Sequence, residues 1–265
     1  MGRKGRQKRN ELRRGFWKVL NRKQITLKAV AERDSTRFRA AGIKQILLIW
    51  AMLSVQIVVF IGSAGHTDDL RPWFFFGISF LHYSISTAVQ YKLNPELLAQ
   101  RLRRKRDGSK LWDEILMRIS NLVVLLVIPA TAGFDVGRFH WSALDVNLVV
   151  IGLVLLSIST ILLNWAMTVN PYFEPTVRIQ QDRGHIVVTS GPYKIVRHPG
   201  YSAGILFALS IPPIIGSAFT FIPVGLYCVL TITRTLLEDR TLQNELEGYS
   251  QYANQVRYRL IPGIW

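Results

Sequence analysis

The chain has 265 residues, 33 Lys plus Arg against 17 Asp plus Glu, and 49% hydrophobic residues with a positive mean hydropathy. A soluble domain would break its apolar residues into faces; here they run on without charge over membrane-spanning lengths, which excludes one. The net charge of +16 raises nucleic acid as a partner, but the bases crowd into particular loops rather than over one face, so no nucleic acid is expected.

Residues 1–44 carry fifteen Lys plus Arg against three acids and read as a basic cytoplasmic segment. Within it Leu12, Phe16, Leu20 and Trp17 fall on one side of a helix amid Arg13, Arg14, Lys18, Arg22 and Lys23. That pattern suits an interfacial helix on anionic lipid, and equally a solvated basic tail. No apolar core follows the basic start, so no secretory signal peptide is expected. The one cysteine, Cys228, excludes an intrachain disulfide and reads as a buried structural thiol.

Residues 45–169 read as a transmembrane scaffold, with spans at 46–62, 73–91, 119–134 and 146–169. Its only ionisable group of interest is His82, expected to bond a neighbouring carbonyl. Loop 92–118 is rich in base, whereas 66–71 and 135–145 are slightly acidic, the latter through Asp135 and Asp145. By the positive-inside rule both termini and everything after the fourth span lie on the cytoplasmic side, of the inner membrane if the chain is prokaryotic. Near the end of the fourth span, Asn164 and Asn170 need partners, either by locking helices together or by bordering a cavity.

After Pro175 hydropathy collapses. Residues 185–189 (HIVVT) look strand-like, and a helical hairpin is expected over 201–237, interrupted at Pro212, Pro213 and Gly216. The fold class is therefore all-α integral membrane: about four spans, a C-terminal hairpin and a small cytoplasmic cap, with residues 170–265, hairpin included, as the region that holds the chemistry.

The run from Gly191 through Tyr193, Arg197, His198 and Pro199 to Tyr201 sets a cation, an imidazole and two phenols at the mouth of the hairpin. Pro199 suits a first helical turn, whose free N–H groups favour oxygen ligands. An aromatic and basic interface anchor would use the same residues. At the far end of the hairpin Arg234 and Glu238 are spaced i, i+4 and share a face, with Asp239 beside them. Tyr249, Tyr252, Tyr258 and Trp265 follow in a polar setting, where aromatics can close a pocket. A sulfonium favours carboxylates and aromatic faces, for which Glu238, Tyr193, Tyr201 and Tyr249 are the inventory. No GxGxxG or P-loop is present.

The segments HIVVTSGPYKIVRHPGYSAG and RTLLEDRTLQNELEGYSQY, with the closing RLIPGIW, resemble the isoprenylcysteine carboxyl methyltransferase family and its prokaryotic relatives. Phospholipid N-methyltransferases share the pattern in a wider group. The resemblance implies an S-adenosyl-L-methionine-dependent methyltransferase acting on a lipid-linked or prenylated substrate that enters from the membrane, and calls for no metal. It implies cofactor binding by His185, Ile186, Val187, Val188, Tyr193, His198, Pro199, Gly200, Tyr201 and Glu238. Arg234 is implied to meet the substrate carboxylate, and Gln180 or Gln181 to fill an amide contact. Catalysis then rests on Arg234, Glu238 and His198. The family's acidic pair is commonly Glu-Glu, whereas here it is Glu238-Asp239. Two rivals remain: an NADPH-dependent sterol-type reductase, whose family carries a similar RHPxY element, and a noncatalytic lipid-binding protein.

Overall fold

The computed structural model describes the backbone of residues 3–66, 68–102 and 107–265, and side chains over the same ranges from 34 onward. The expected interfacial face formed by Leu12, Phe16, Trp17 and Leu20 lies outside the described side chains.

Among the described residues the regular structure is helical: α1 (Arg3–Ala64), α2 (Leu70–Leu93), α3 (Pro95–Arg101), α4 (Leu111–Leu122), α5 (Ile128–Gly133), α6 (Leu148–Val169), α7 (Pro199–Ile215), α8 (Phe221–Glu245) and α9 (Tyr249–Gln255). Two π-helical turns, Val123–Val127 and Phe134–Phe139, join α4 to α5 and extend beyond α5. Four stretches are long and apolar enough to cross a membrane: Asp34–Ala64, Leu111–Phe139, Leu148–Val169 and Phe221–Glu245. The protein is thus an integral membrane protein. The expected count of four spans stands, but their identity shifts. The 24-residue α2 carries His82, Gln90 and Lys92 and is not among the four, whereas α8, expected as a hairpin arm, is.

Local chemistry sets the breaks. Asp69 caps α2 by accepting from the Arg71 N–H at 2.8 Å, and Asn94 caps α3 ahead of Pro95 by accepting from Leu97. The helix α7 runs through Pro212 and Pro213 and stops at Gly216, whose φ of +97° suits a residue without a Cβ. Arg71 then binds the carbonyls of Pro213, Ile214 and Leu144 at 2.6, 3.2 and 2.7 Å, placing a cation on the carbonyl end of α7.

The core packs Phe60 of α1, Phe75 and Phe76 of α2, Leu156 of α6, Ile211 and Ile214 of α7 and Val224 of α8. Close approach depends on small residues: Gly152 of α6 lies under Ile214 and the Ser210 carbonyl, and Gly133 of α5 under Phe60 and Ser63 of α1. Large apolar residues such as Leu47, Trp50, Val58, Val150, Ile161 and Val229 point outward. Asp135, counted as a loop charge, is instead fully buried in the second π-turn, where Ser142 and Ser217 donate to it. His82 bonds the Thr160 hydroxyl at 2.6 Å rather than a carbonyl. Cys228 is half-buried against the core.

At the end of the helices opposite the α7–α8 turn, residues 170–198 and 246–265 fold over the bundle. Residues 185–189 are irregular here, not a strand, because no neighbouring strand offers ladder partners among the described residues. A second core of Ala166, Tyr193, Leu246, Tyr249 and Tyr252 fastens this cap to α6 and α8.

Candidate active site

A cavity of about 370 Å³ opens between the cap and the ends of α6, α7 and α8. Of the sequence-predicted site residues, His185, Ile186, Val187, Val188, Tyr193, His198, Gly200, Tyr201, Arg234 and Glu238 all line it, as do Gln180 and Tyr249. Pro199 is buried at the first turn of α7 and is not among the lining residues; it shapes the helix start instead. Gln181 is exposed, so of the two amides only Gln180 faces the site.

On the α8 wall the i, i+4 spacing works as the sequence suggests. Tyr201 donates its hydroxyl to Glu238 Oε2, and the Arg234 guanidinium lies 5.2 Å over the Tyr201 ring. Arg234 is not free to meet a ligand with its whole fork, however. Its Nε donates to Asp113 Oδ1 of α4 at 2.6 Å and its Nη2 to the Pro175 carbonyl. The other Asp113 oxygen accepts from the Val177 N–H at 2.8 Å, so one fully buried carboxylate ties α4, α8 and the 175–177 strip together.

Opposite stands His198, where α7 begins. Its Nε2 is 3.1 Å from Asp239 Oδ1, and Asp239, fully buried, gathers Arg197, Arg259, Tyr249 and Gln243 as well. In the sequence Arg197 stands out only as a cation at the mouth of the hairpin, and Asp239 only as a departure from the family's pair. The signal available was the adjacency of Arg197 and His198 together with an acid one residue past Glu238, which turns it to another helix face.

The cap supplies the third wall. Tyr193 accepts from Asn170 Nδ2 at 2.8 Å, and Tyr252 donates to the Tyr193 carbonyl at 2.7 Å. Burial raises the Tyr193 phenol pKa well above its ordinary value, so it stays protonated. Thus Asn170 borders the cavity, while Asn164 locks helices by donating to Ser86 of α2. Gln180 donates to the Tyr172 carbonyl and accepts from Arg183. His185 packs against Tyr172 with ring centroids 4.4 Å apart and the planes tilted by 39°. Desolvation, reinforced by Arg178 and Arg183, lowers its pKa to about 4. A neutral imidazole therefore faces the cavity near neutral pH.

The fold and cavity together define a helical membrane protein with a cavity where its polar cap meets the bundle. Residues 150–244 match the model of the isoprenylcysteine carboxyl methyltransferase (ICMT) family. A Delta(14)-sterol reductase from Methylotuvimicrobium alcaliphilum is 28% identical over 95 residues, 35% of this chain and 22% of that protein, so the chain spans about a fifth of its curated relative. Among solved structures, that of the eukaryotic intramembrane Ras methyltransferase ICMT aligns with a TM-score of 0.40 at 17% identity, covering 84% of this chain and 98% of that one.

Proposed function

We propose that the protein is a membrane-embedded S-adenosyl-L-methionine-dependent methyltransferase that methylates a lipid-linked carboxylate. One observation carries the reading: the RHPGY element and the Arg234–Glu238 helix face, both inside the family-matched region, line a single cavity with the HIVV segment. The donor set fits the cofactor. Glu238 offers a carboxylate, Tyr193, Tyr201 and Tyr249 offer aromatic faces, and His185 and His198 offer ring nitrogens, around a space of pocket size.

When bound, the cofactor supplies a methyl group on a sulfonium, an electrophile that needs no further activation. A carboxylate acceptor is already ionised near neutral pH, so the protein has no proton to remove. Its residues have to align and to exclude water. Arg234, held by Asp113 and the Pro175 carbonyl, presents its remaining N–H groups to the acceptor, and Glu238 faces the cofactor. An amine acceptor would instead need a base, for which His198 and Glu238 are the residues at hand. On this reading the cavity lies on the cytoplasmic side, and the lipid tail enters sideways from the membrane.

Calorimetry on detergent-purified protein with S-adenosylhomocysteine tests the core of the proposal. Binding should be lost in Glu238→Ala and largely retained in Arg234→Ala. The matched sterol reductase supports a second reading, so NADPH forms the competing arm: binding of NADPH without S-adenosylhomocysteine would overturn the methyltransferase assignment. For the acceptor, membranes incubated with methyl-labelled cofactor should carry the label in base-labile esters. Base-stable label would mean an amine.

A further inference from the structure

His198 occupies the N-cap position of α7, yet its side chain makes no capping bond. The N–H groups of Tyr201 and Ser202 are taken by the His198 carbonyl, at 3.1 and 3.2 Å. The ring is therefore released from the usual duty of an N-cap side chain. It points one nitrogen at Asp239: Nε2 lies 3.1 Å from Oδ1.

A carboxylate oxygen can only accept, so the ring nitrogen facing it carries the proton. Tyr249 Oη lies 3.0 Å from the same Oδ1 and 3.3 Å from Nε2. Its single hydrogen goes to the charged acceptor, which leaves Nε2 no reason to present a lone pair. In the neutral ring the bare nitrogen is then Nδ1, which bonds nothing among the described residues while His198 lines the cavity.

Asp239 is itself immobile. Arg197 grips it through Nε and Nη2, both at 2.8 Å, and Arg259 and Gln243 each donate at 2.9 Å. Arg197 also donates to the carbonyls of Val256 and Arg257 at 2.8 and 3.0 Å, so the carboxylate holds the C-terminal segment of the cap in the same knot. A carboxylate that served only to dock this segment would need the arginines; it would not need the imidazole.

We propose that Asp239 is a positioning residue that fixes His198 in its Nε2–H tautomer, so that Nδ1 faces the cavity as a hydrogen-bond acceptor for a hydroxyl or N–H of the bound ligand. The ligand half of this rests on the methyltransferase reading; the tautomer half does not. The arrangement selects a ligand with a donor at that point and disfavours a bare carbonyl or phosphate oxygen there.

The test is nitrogen-15 NMR of the full chain in detergent with labelled histidine, the His198 signals being identified as those lost in His198→Gln. The expected spectrum of the neutral ring in the wild type shows a protonated Nε2 and an unprotonated Nδ1. Asp239→Asn should mix the tautomers and weaken S-adenosylhomocysteine binding roughly tenfold, the worth of about one hydrogen bond, with partial recovery in Asp239→Glu. A wild-type His198 protonated on Nδ1 overturns the proposal, as does an Asp239→Asn protein with unchanged tautomer and affinity. If Asp239→Asn does not fold, the wild-type spectrum decides alone. The expected tautomer in a protein that binds no S-adenosylhomocysteine would uphold the role of Asp239 and overturn the cofactor reading.

Discussion

Asp113 and Arg234 form an ion pair at 2.6 Å across 121 residues of sequence, the aspartate fully buried and the arginine side chain 16% exposed. Asp113 lies outside the region matched to the family, Arg234 inside it. The pair therefore joins α4 to α8 across that boundary. Asp113→Ala would leave a guanidinium desolvated without its counter-charge, costing about 3–5 kcal/mol. Thermal unfolding in detergent should show this large loss, and Asp113→Leu combined with Arg234→Met should recover most of it. A single variant as stable as the wild type would mean that water already solvates Arg234.

Tyr201 joins α7 to α8, donating to Glu238 from below the Arg234 guanidinium. Tyr201→Phe keeps the ring under the cation and removes only the hydroxyl. Glu238 then loses this hydroxyl donor in a partly buried setting, which on the methyltransferase reading should weaken S-adenosylhomocysteine affinity on the order of tenfold with little change in stability. Equal losses of affinity and stability would place Tyr201 in the packing of α7 on α8 rather than in the site.

The parts legible in the sequence were those whose meaning is local. The RHPGY element and the i, i+4 pair need only helix geometry to predict that they share a mouth, and His198 does meet α8, through Asp239. Asp113 could not be read that way. As an acid in the first turn of α4 it has a sufficient local explanation in the helix dipole, and only the fold brings Arg234 to it. Asp239 was obscured similarly, since its partners come from segments 42 residues before and 20 residues after it. The segment 73–91 lies within the single helix α2, as its apolar length predicts, and the buried Ser, Thr, Gln and His groups that α2 presents to its neighbours make it less apolar than the four stretches above. The HIVVT segment has the composition of a strand, but β-propensity needs a partner edge.

His185 gives the site a pH signature. Its pKa is lowered from 6.5 to about 4, first by desolvation and then by Arg178 and Arg183, against Glu174. Below pH 6.5 the unfolded chain takes up this proton while the folded one resists it. The contribution of the neutral ring is therefore fully present above about 6.5 and lost as pH falls through about 4. His185→Phe keeps a ring against Tyr172 and removes the titration. The stability difference between wild type and variant, followed by thermal unfolding from pH 7 to 4, should be flat at first and then move against the wild type. A difference independent of pH would mean that the imidazole is solvated in both states.

Gly133 and Gly137 support the scaffold by their lack of side chains. A Cβ at Gly133 would stand 2.6 Å from the Phe60 carbonyl oxygen, and one at Gly137 would stand 2.7 Å from the Ala64 Cα. Both obstacles are backbone atoms of α1, which no rotamer change can move aside. Either alanine must push α1 away from the π-turned helix, and overpacking of this kind costs about 1–3 kcal/mol. Gly62 and Gly77 sit within α1 and α2 with nothing within 4 Å of an added Cβ. Alanine there should be neutral or stabilising by up to about 1 kcal/mol, because it removes only the backbone freedom of glycine. Unfolding temperatures of the four single variants in one detergent compare close packing with propensity directly. Gly133→Ala and Gly137→Ala should fall and the other two hold or rise; four equal shifts would show that α1 does not rest on these glycines.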